Sequence, residues 1–249
     1  MVTRLHAIGI IQARMGSTRL PGKILAPIVD HLPLLAVLVH RIRPAGIPLW
    51  LATTEAREDD VTAAWGDALR LRVYRGDEED VLGRFAGIVD DTKPDWVVRF
   101  TADDPFTDAA ITRHALQLAR DAPSSVDLIT SGPNPQFPLG YAPQVIRGSA
   151  ISRLQREIPL HGTPHRVHVT TGLPSLQCAP IRDPTLPVRP GWRWTIDTLL
   201  DLAMARTAFA AFPNGGLMAS YTDLVTLFDN DPGIAAINVS VIQKSQVEG

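Results

Sequence analysis

Ala7-Ile8-Gly9-Ile10-Ile11, followed by Gln12-Ala13-Arg14-Met15-Gly16-Ser17-Thr18-Arg19-Leu20-Pro21-Gly22-Lys23, decides how the chain is read. The first five residues form a continuous apolar run rich in branched side chains. Such a run fits a strand buried on both faces, as parallel sheets require. The eleven residues from Ala13 to Lys23 carry three cations, two glycines and two hydroxyls. Glycines let backbone amides approach an anion closely, and arginine and lysine supply charge. A strand running into such a loop is what a phosphate-bearing ligand needs. The loop is not a Walker P-loop, because Ile24 stands where a hydroxyl would follow Lys23, and it is not Gly-x-Gly-x-x-Gly.

Outward from this stretch, strand and helix signals alternate. Helical spacing covers Pro33 to Arg43, Asp59 to Leu69, Glu79 to Asp90 and Asp108 to Arg120; strand-like runs cover Leu49 to Thr53, Leu71 to Tyr74, Trp96 to Phe100 and Asp127 to Ile129. This rhythm predicts βαβ units and a mostly parallel α/β sheet flanked by helices. From about Gly132 prolines break the pattern, and residues 132–190 are expected to form an irregular excursion on the acceptor side or at a dimer contact. A strand over Trp192 to Ile196 and helices over Leu199 to Phe212 and Thr222 to Phe228 follow. No linker divides the chain, so residues 1–249 are expected to form one domain.

Hydrophobic residues at 45% and charged residues at 20% exclude a disordered chain, and a net charge of −2 gives no basic footprint for nucleic acid. The single cysteine, Cys178, cannot form an internal disulfide and is expected to be a buried structural thiol. The first dozen residues are too quickly polar for a signal peptide, and the longest apolar stretch, Leu32 to Val39, is too short to span a membrane. A cytoplasmic protein is expected. His161, His165 and His168 lack the companions of a zinc site, and no Gly-x-Ser-x-Gly elbow occurs.

In open parallel sheets ligands bind at the carboxyl ends of strands. Asp103 and Asp104 end one strand, and Asp197 ends another. Strand-end carboxylates are hard oxygen ligands suited to Mg²⁺. The bland alternatives are also open: Asp104-Pro105 fits a turn, Asp108 a helix cap, and Asp197 a cap for the helix from Leu199.

The segment Ile11 to Lys23 resembles the opening signature of the cytidylyltransferase family, which includes SpsF-type spore-coat proteins and the CMP-sialic acid and CMP-KDO synthetases. Gly76-Asp77-Glu78-Glu79-Asp80-Val81-Leu82-Gly83-Arg84-Phe85 is similar to its Gly-x-x-x-Asp-Val-Leu-x-Arg-Tyr segment, and Arg99-Phe100-Thr101-Ala102-Asp103-Asp104-Pro105 to its Arg-x-Thr-x-Asp-x-Pro strand end. His168-Val169-Thr170 and Thr195-Ile196-Asp197-Thr198-Leu199-Leu200-Asp201-Leu202 also match family elements. The resemblance spans residues 7–228. It implies a Rossmann-like fold of the nucleotide-diphospho-sugar transferase type. It also implies CMP transfer from CTP to an acidic acceptor for surface polysaccharide or glycoconjugate synthesis, with Mg²⁺, in a homodimer.

In that reading Ala13, Arg14, Gly16, Ser17, Arg19 and Lys23 hold the triphosphate, and Gly76, Asp77 and Arg84 lie near the nucleoside. Asp103 and Asp197 carry the metal, and Arg14, Lys23 and the two aspartates form the catalytic set. Tyr141, Gln144, Arg147 and His168 are the expected acceptor residues. Arg147, Arg166 and the histidines around His168 fit a solvated surface or an anion pocket, and the apolar segment Phe137 to Val145 is the expected dimer contact. Where many SpsF-type members carry Gly-Leu-Asp-Val-Glu, this chain has Gly140-Tyr141-Ala142-Pro143-Gln144, without either carboxylate. The rival readings are transfer from another triphosphate to a sugar phosphate, and a degenerate nucleotide-binding protein.

Overall fold

The structure, a computed structural model, describes residues 5–160, 164–170 and 176–243. Its centre is a seven-stranded sheet in the order β5-β4-β1-β6-β8-β7-β9. The strands are β1 (Ala7–Gln12), β4 (Leu49–Thr54), β5 (Arg72–Gly76), β6 (Trp96–Thr101), β7 (Leu128–Thr130), β8 (Gln144–Arg147) and β9 (Cys178–Pro180). A small antiparallel pair, β2 (Pro27–Val29) and β3 (Leu32–Pro33), precedes the first helix. Only β8 runs against its neighbours, so the sheet is mostly parallel, as the alternating pattern predicts.

Helices cover both faces. They are α1 (Leu34–Ile42), α2 (Asp60–Ala68), α3 (Val81–Thr92), α4 (Ala109–Asp121), α5 (Gly148–Glu157), α6 (Leu199–Ala210), α7 (Tyr221–Asn230) and α8 (Pro232–Ala236). The sheet's alternation sorts them. Ile8, Ile10, Val97 and Ile146 share a core with Leu82 and Phe85 of α3 and Ile151 and Leu154 of α5. Ile11, Val98, Phe100 and Val145 face the other way, into a larger core with α1, α4, α6 and α7. Burial on both faces is why β1 reads as an uninterrupted apolar run. From β1 the order steps one way to β4 and β5 and the other way to β6. The reversal lies between β1 and β6, and a crevice at such a switch point, outside the strand ends, is where ligands bind.

Three expectations change. Trp192 to Ile196 is no strand of the sheet. Both edges of β6 are taken by β1 and β8, so this extended segment crosses the strand ends instead. It is held there by Leu139 N–H to Trp192 O (3.0 Å), Trp194 N–H to Leu139 O (2.8 Å) and Ile196 N–H to Asp103 O (2.9 Å). The proline-rich excursion contains a full helix, α5, whose Ala150, Ile151 and Leu154 form a buried stripe. Within the segment Phe137 to Val145, Phe137, Tyr141 and Val145 are buried in the protomer and Leu139 is exposed. Cys178 is exposed, because β9 is an edge strand and the thiol points away from β7's core. His161 lies outside the described residues.

The antiparallel strand β8 is pinned at its junction with α5. Gly148 N–H donates to Asp95 O at 2.9 Å, and a Cβ on Gly148 would stand 2.2 Å from the backbone oxygen of Pro94. Backbone cannot yield as a side-chain tip does. Gly148→Ala is therefore expected to lower the unfolding free energy by about 1–3 kcal/mol in urea denaturation; an unchanged midpoint would contradict this packing.

Candidate active site

The crevice beyond β1 and β6 opens into a cavity of about 600 Å³, whose wall includes Arg19, Arg99, Asp103, Asp104, Gln144 and Asp197. Three segments far apart in sequence meet at its edge. The loop after β1 brings Lys23, the end of β6 brings Asp103, and the crossing segment before α6 brings Asp197. Lys23 Nζ donates to Asp103 Oδ2 at 2.6 Å, to Asp197 Oδ1 at 2.9 Å and to Ile196 O at 2.7 Å. Burial works against the ammonium, but Asp103 and then Asp197 outweigh it, and the Lys23 pKa rises above the ordinary lysine value. Asp197 takes two more cations on its other oxygen: Arg19 at 2.8 Å, and Arg193. Burial of Asp197 is likewise outweighed, by Lys23 first, and its pKa falls below the usual carboxylate range.

Asp197 is not a helix cap. Thr198 caps α6, and Asp201 completes a capping box with it. Asp201, fully buried, accepts from Asp197 N–H at 3.0 Å, Thr198 N–H at 2.9 Å, Arg193 Nε at 2.9 Å and Asn238 Nδ2 at 2.9 Å. These bonds fix the backbone from which Asp197 projects. Beside Asp103, Asp104 accepts from the Thr101 hydroxyl. Burial, and then the charge of Asp103, push its pKa up to about 7. Gly140, at φ +89, lies so close that a Cβ there would be 2.7 Å from Asp104 Oδ1 and 2.6 Å from Thr195 N.

The loop itself is pinned from below. Asp59, buried at the start of α2, accepts from Met15 N–H at 2.8 Å, Thr62 Oγ1 at 2.9 Å and the Thr54 hydroxyl. Gly22, at φ +70, turns the chain back so that its N–H reaches Met15 O at 3.0 Å. Ala13 is buried, Ser17 N–H donates to Met15 O at 2.8 Å, and Gly16 lies in the same turn. Arg14 leans toward Glu78 at 3.3 Å. Arg84 packs under Gly76 and donates to Asp77 O at 3.1 Å, while its buried Nε and Nη2 have no protein partner. Burial, and then Arg14, pull its pKa down to about 10.

The expected acceptor residues separate. Gln144 lines the cavity, where its Oε1 accepts from Arg99 Nη1 at 2.7 Å and Thr170 Oγ1 at 2.9 Å. Arg99 also reaches Gln12 Oε1 at 2.9 Å, and burial lowers its pKa. His168 is half-buried with Nε2 unpartnered, and burial, then Arg99 and Arg14, push it toward the neutral form. Tyr141 does not reach the cavity. Its ring sits in an aromatic core with Phe137, Trp194 and Tyr221, and its hydroxyl donates to Asp108 Oδ2 at 3.0 Å. Arg147 pairs with Trp96 at the start of β6, the far end of the sheet from Asp103, and stacks over that indole at 4.2 Å. Arg166 is buried against Asp80 at 2.6 Å and is committed to that pair.

Asp59, Arg99, Arg193 and Asn238 have site roles that the sequence reading leaves unassigned. Arg99 and Arg193 lie inside the matched motifs and could have been found there; Asp59, in a run of acidic residues at a helix start, reads only as a cap. Asp103 and Asp197 suit Mg²⁺, which takes one or two protein carboxylates beside phosphate oxygens. The cation already lodged between them, the Lys23 ammonium, shows that the pair accepts positive charge. Among the described residues no group of three or more acidic, histidine or cysteine side chains competes for a metal.

A family model described as cytidylyltransferase matches residues 8–133. The chain is 33% identical over 238 residues to the spore coat polysaccharide biosynthesis protein SpsF of Bacillus subtilis (strain 168), covering 91% of this chain and 95% of that protein. It is 29% identical over 156 residues to a 3-deoxy-manno-octulosonate cytidylyltransferase of Solibacter usitatus (strain Ellin6076), covering 61% and 52% of the two chains. A solved cytidylyltransferase from Leptospira borgpetersenii serovar Hardjo-bovis (strain JB197) is similar in fold, with a TM-score of 0.84 at 23% identity, covering 97% of this chain and all of that one.

Asp59→Ala leaves a buried N–H and two hydroxyls without an acceptor. It is expected to cost about 1–3 kcal/mol of stability in urea denaturation. It should also speed tryptic cleavage after Arg14 or Arg19. Unchanged stability and unchanged cleavage would show that the loop is held by other means.

Proposed function

The chain belongs to the cytidylyltransferase family, and from that premise we propose that it transfers CMP from CTP to an acidic small-molecule acceptor and releases pyrophosphate. The observation that carries the reading is the convergence of Lys23, Asp103 and Asp197 beside the cavity. The surroundings fit. Arg14, Arg19 and Lys23 are the cations of a loop whose backbone is pinned at Met15, and the unspent donors of Arg84 lie under Gly76 and Asp77. On the other side Arg99, hydrogen-bonded to amide oxygens, lines the cavity, which suits an anionic acceptor. The spore-coat polysaccharide relative supports a place in surface polysaccharide or glycoconjugate synthesis. Among the described residues no helix is long and apolar enough to cross a membrane; the proposed setting is the cytoplasm.

The proposed chemistry is in-line attack of an acceptor oxygen on the α-phosphorus. The new P–O bond forms as the bond to pyrophosphate breaks. Little covalent work falls to the protein, so positioning and charge carry the rate. Asp103 and Asp197 would hold Mg²⁺, which neutralises phosphate charge and lowers the pKa of a bound hydroxyl. Arg14 and Lys23 stabilise the charge that develops on the leaving pyrophosphate. An acceptor that is itself an anion needs no strong general base. The cavity offers none beyond Asp104, which burial makes a poor anion below pH 7.

Melting curves with CTP, UTP, GTP and ATP, each with and without Mg²⁺, test the donor. A ligand at about 100 times its Kd adds roughly 2.7 kcal/mol to the folded state, so CTP with Mg²⁺ is expected to give a clear rise and the other three none. A rise with another triphosphate instead would replace the donor, and no rise with any would favour a degenerate binder. Asp103→Asn is expected to reduce pyrophosphate release by at least about a hundredfold. Asp197→Asn should do the same but also destabilise, because it strips the shared counter-charge from Lys23, Arg19 and Arg193.

A further inference from the structure

A lysine ammonium has three hydrogens to donate. At Lys23 the acceptors are also three, namely Asp103 Oδ2, Asp197 Oδ1 and Ile196 O, all within 2.9 Å. None is left for a phosphate. Arg19, from the same loop, is likewise turned onto Asp197 at 2.8 Å. All three cations that would receive a triphosphate therefore face carboxylates, Arg14 at Glu78 included, and Lys23 occupies the very pair that would receive a metal. Lys23 cannot serve the triphosphate without leaving that pair. The metal cannot take both carboxylates while the ammonium stays.

We propose that Lys23 is a resident cation that holds Asp103 and Asp197 together until the triphosphate draws it away, so that nucleotide and metal enter by a single exchange. This rests on the reading of Asp103 and Asp197 as the metal carboxylates. Electrostatics requires some such cation. Two neighbouring carboxylates repel, and the ammonium bonded to both holds them aimed at one point. A divalent ion arriving alone must displace a buried ammonium from its two carboxylates with no phosphate to receive it, and that displacement is costly. A triphosphate supplies the other anion. Lys23 and Arg19 move to the phosphates, and the vacated carboxylates meet the metal that the nucleotide brings. Each ligand thus favours the other, as linkage demands. The loop is built for such a hand-over: the base is pinned at Met15 by Asp59, Gly22 makes the turn before Lys23, and the moving part is one long, flexible side chain.

Mn²⁺ binding to the full chain without nucleotide, read by electron paramagnetic resonance, tests the exchange. Lys23→Gln is expected to bind Mn²⁺ at least about tenfold tighter than the wild type, and Lys23→Arg, which keeps the charge, to stay within about twofold of it. Adding Asp103→Asn to Lys23→Gln should erase the gain, which locates the ion at the pair. A folded Lys23→Gln that binds Mn²⁺ no tighter than the wild type overturns the proposal. So does a Lys23→Arg that gains as much as Lys23→Gln. Should Lys23→Gln fail to fold, Lys23→Met, which keeps the length of the side chain without its charge, decides: tighter Mn²⁺ binding supports the exchange, and unchanged affinity overturns it. CTP binding to the wild type is measured on the same samples by calorimetry. Absence of CTP binding with the Mn²⁺ gain intact would remove the donor reading and leave the role of Lys23 standing.

Discussion

A single ammonium, buried between the carboxylate at the end of β6 and the one just before α6, sets the terms for the rest of this molecule. For Lys23 to reach Asp103, β1 and β6 must be neighbours, with their carboxyl ends on one side. For it to reach Asp197, the segment before α6 must cross those ends, which the hydrogen bond from Ile196 to Asp103 secures. A buried charge costs several kcal/mol unless it is paired and hydrogen-bonded. Any displacement of these three segments therefore leaves an ion without its partner. The cost falls on the fold, and the benefit is a site whose parts are held in register before a ligand arrives.

The supports around this triad repeat one pattern. Each working side chain is backed by a hydrogen-bonded neighbour. Asp201 anchors the backbone of Asp197 and the guanidinium of Arg193; Asp59 anchors the loop at Met15; Gln12 and Gln144 hold Arg99. The last of these differs in kind. Arg99 is an enclosed cation hydrogen-bonded to neutral amides, with the carboxylates of Asp104 and Asp103 nearby in the same cavity. At position 144 an amide stands where the matched motif carries a carboxylate, and the cavity is more positive for it.

Local signals made half of this legible. The apolar run of β1, the helical spacing of α1 to α4 and the strand-end position of Asp103 are short-range facts, and the sequence pattern carries them. The convergence of Lys23 with Asp197 links residues 174 positions apart; only the matched motifs, and no periodicity, pointed to it. What stayed hidden depends on partners. Trp192 to Ile196 has the composition of a strand, yet no free sheet edge reaches it. Tyr141 and Arg147 carry suitable chemistry for an acceptor pocket, but β8 runs antiparallel, which sends Arg147 to the wrong end of the sheet, and Tyr141 faces the aromatic core. The direction of β8 is a property of the assembled sheet that Gln144 to Arg147 do not encode by themselves.

A crystal grown with CTP and Mn²⁺ and measured at the manganese absorption edge would test the central claim most directly. The expected result is an anomalous peak in contact with both Asp103 and Asp197, with the triphosphate against residues 13–23 and Lys23 Nζ moved from the carboxylates to the phosphates. A manganese ion bound elsewhere, or a triphosphate that leaves Lys23 lodged between Asp103 and Asp197, would contradict it.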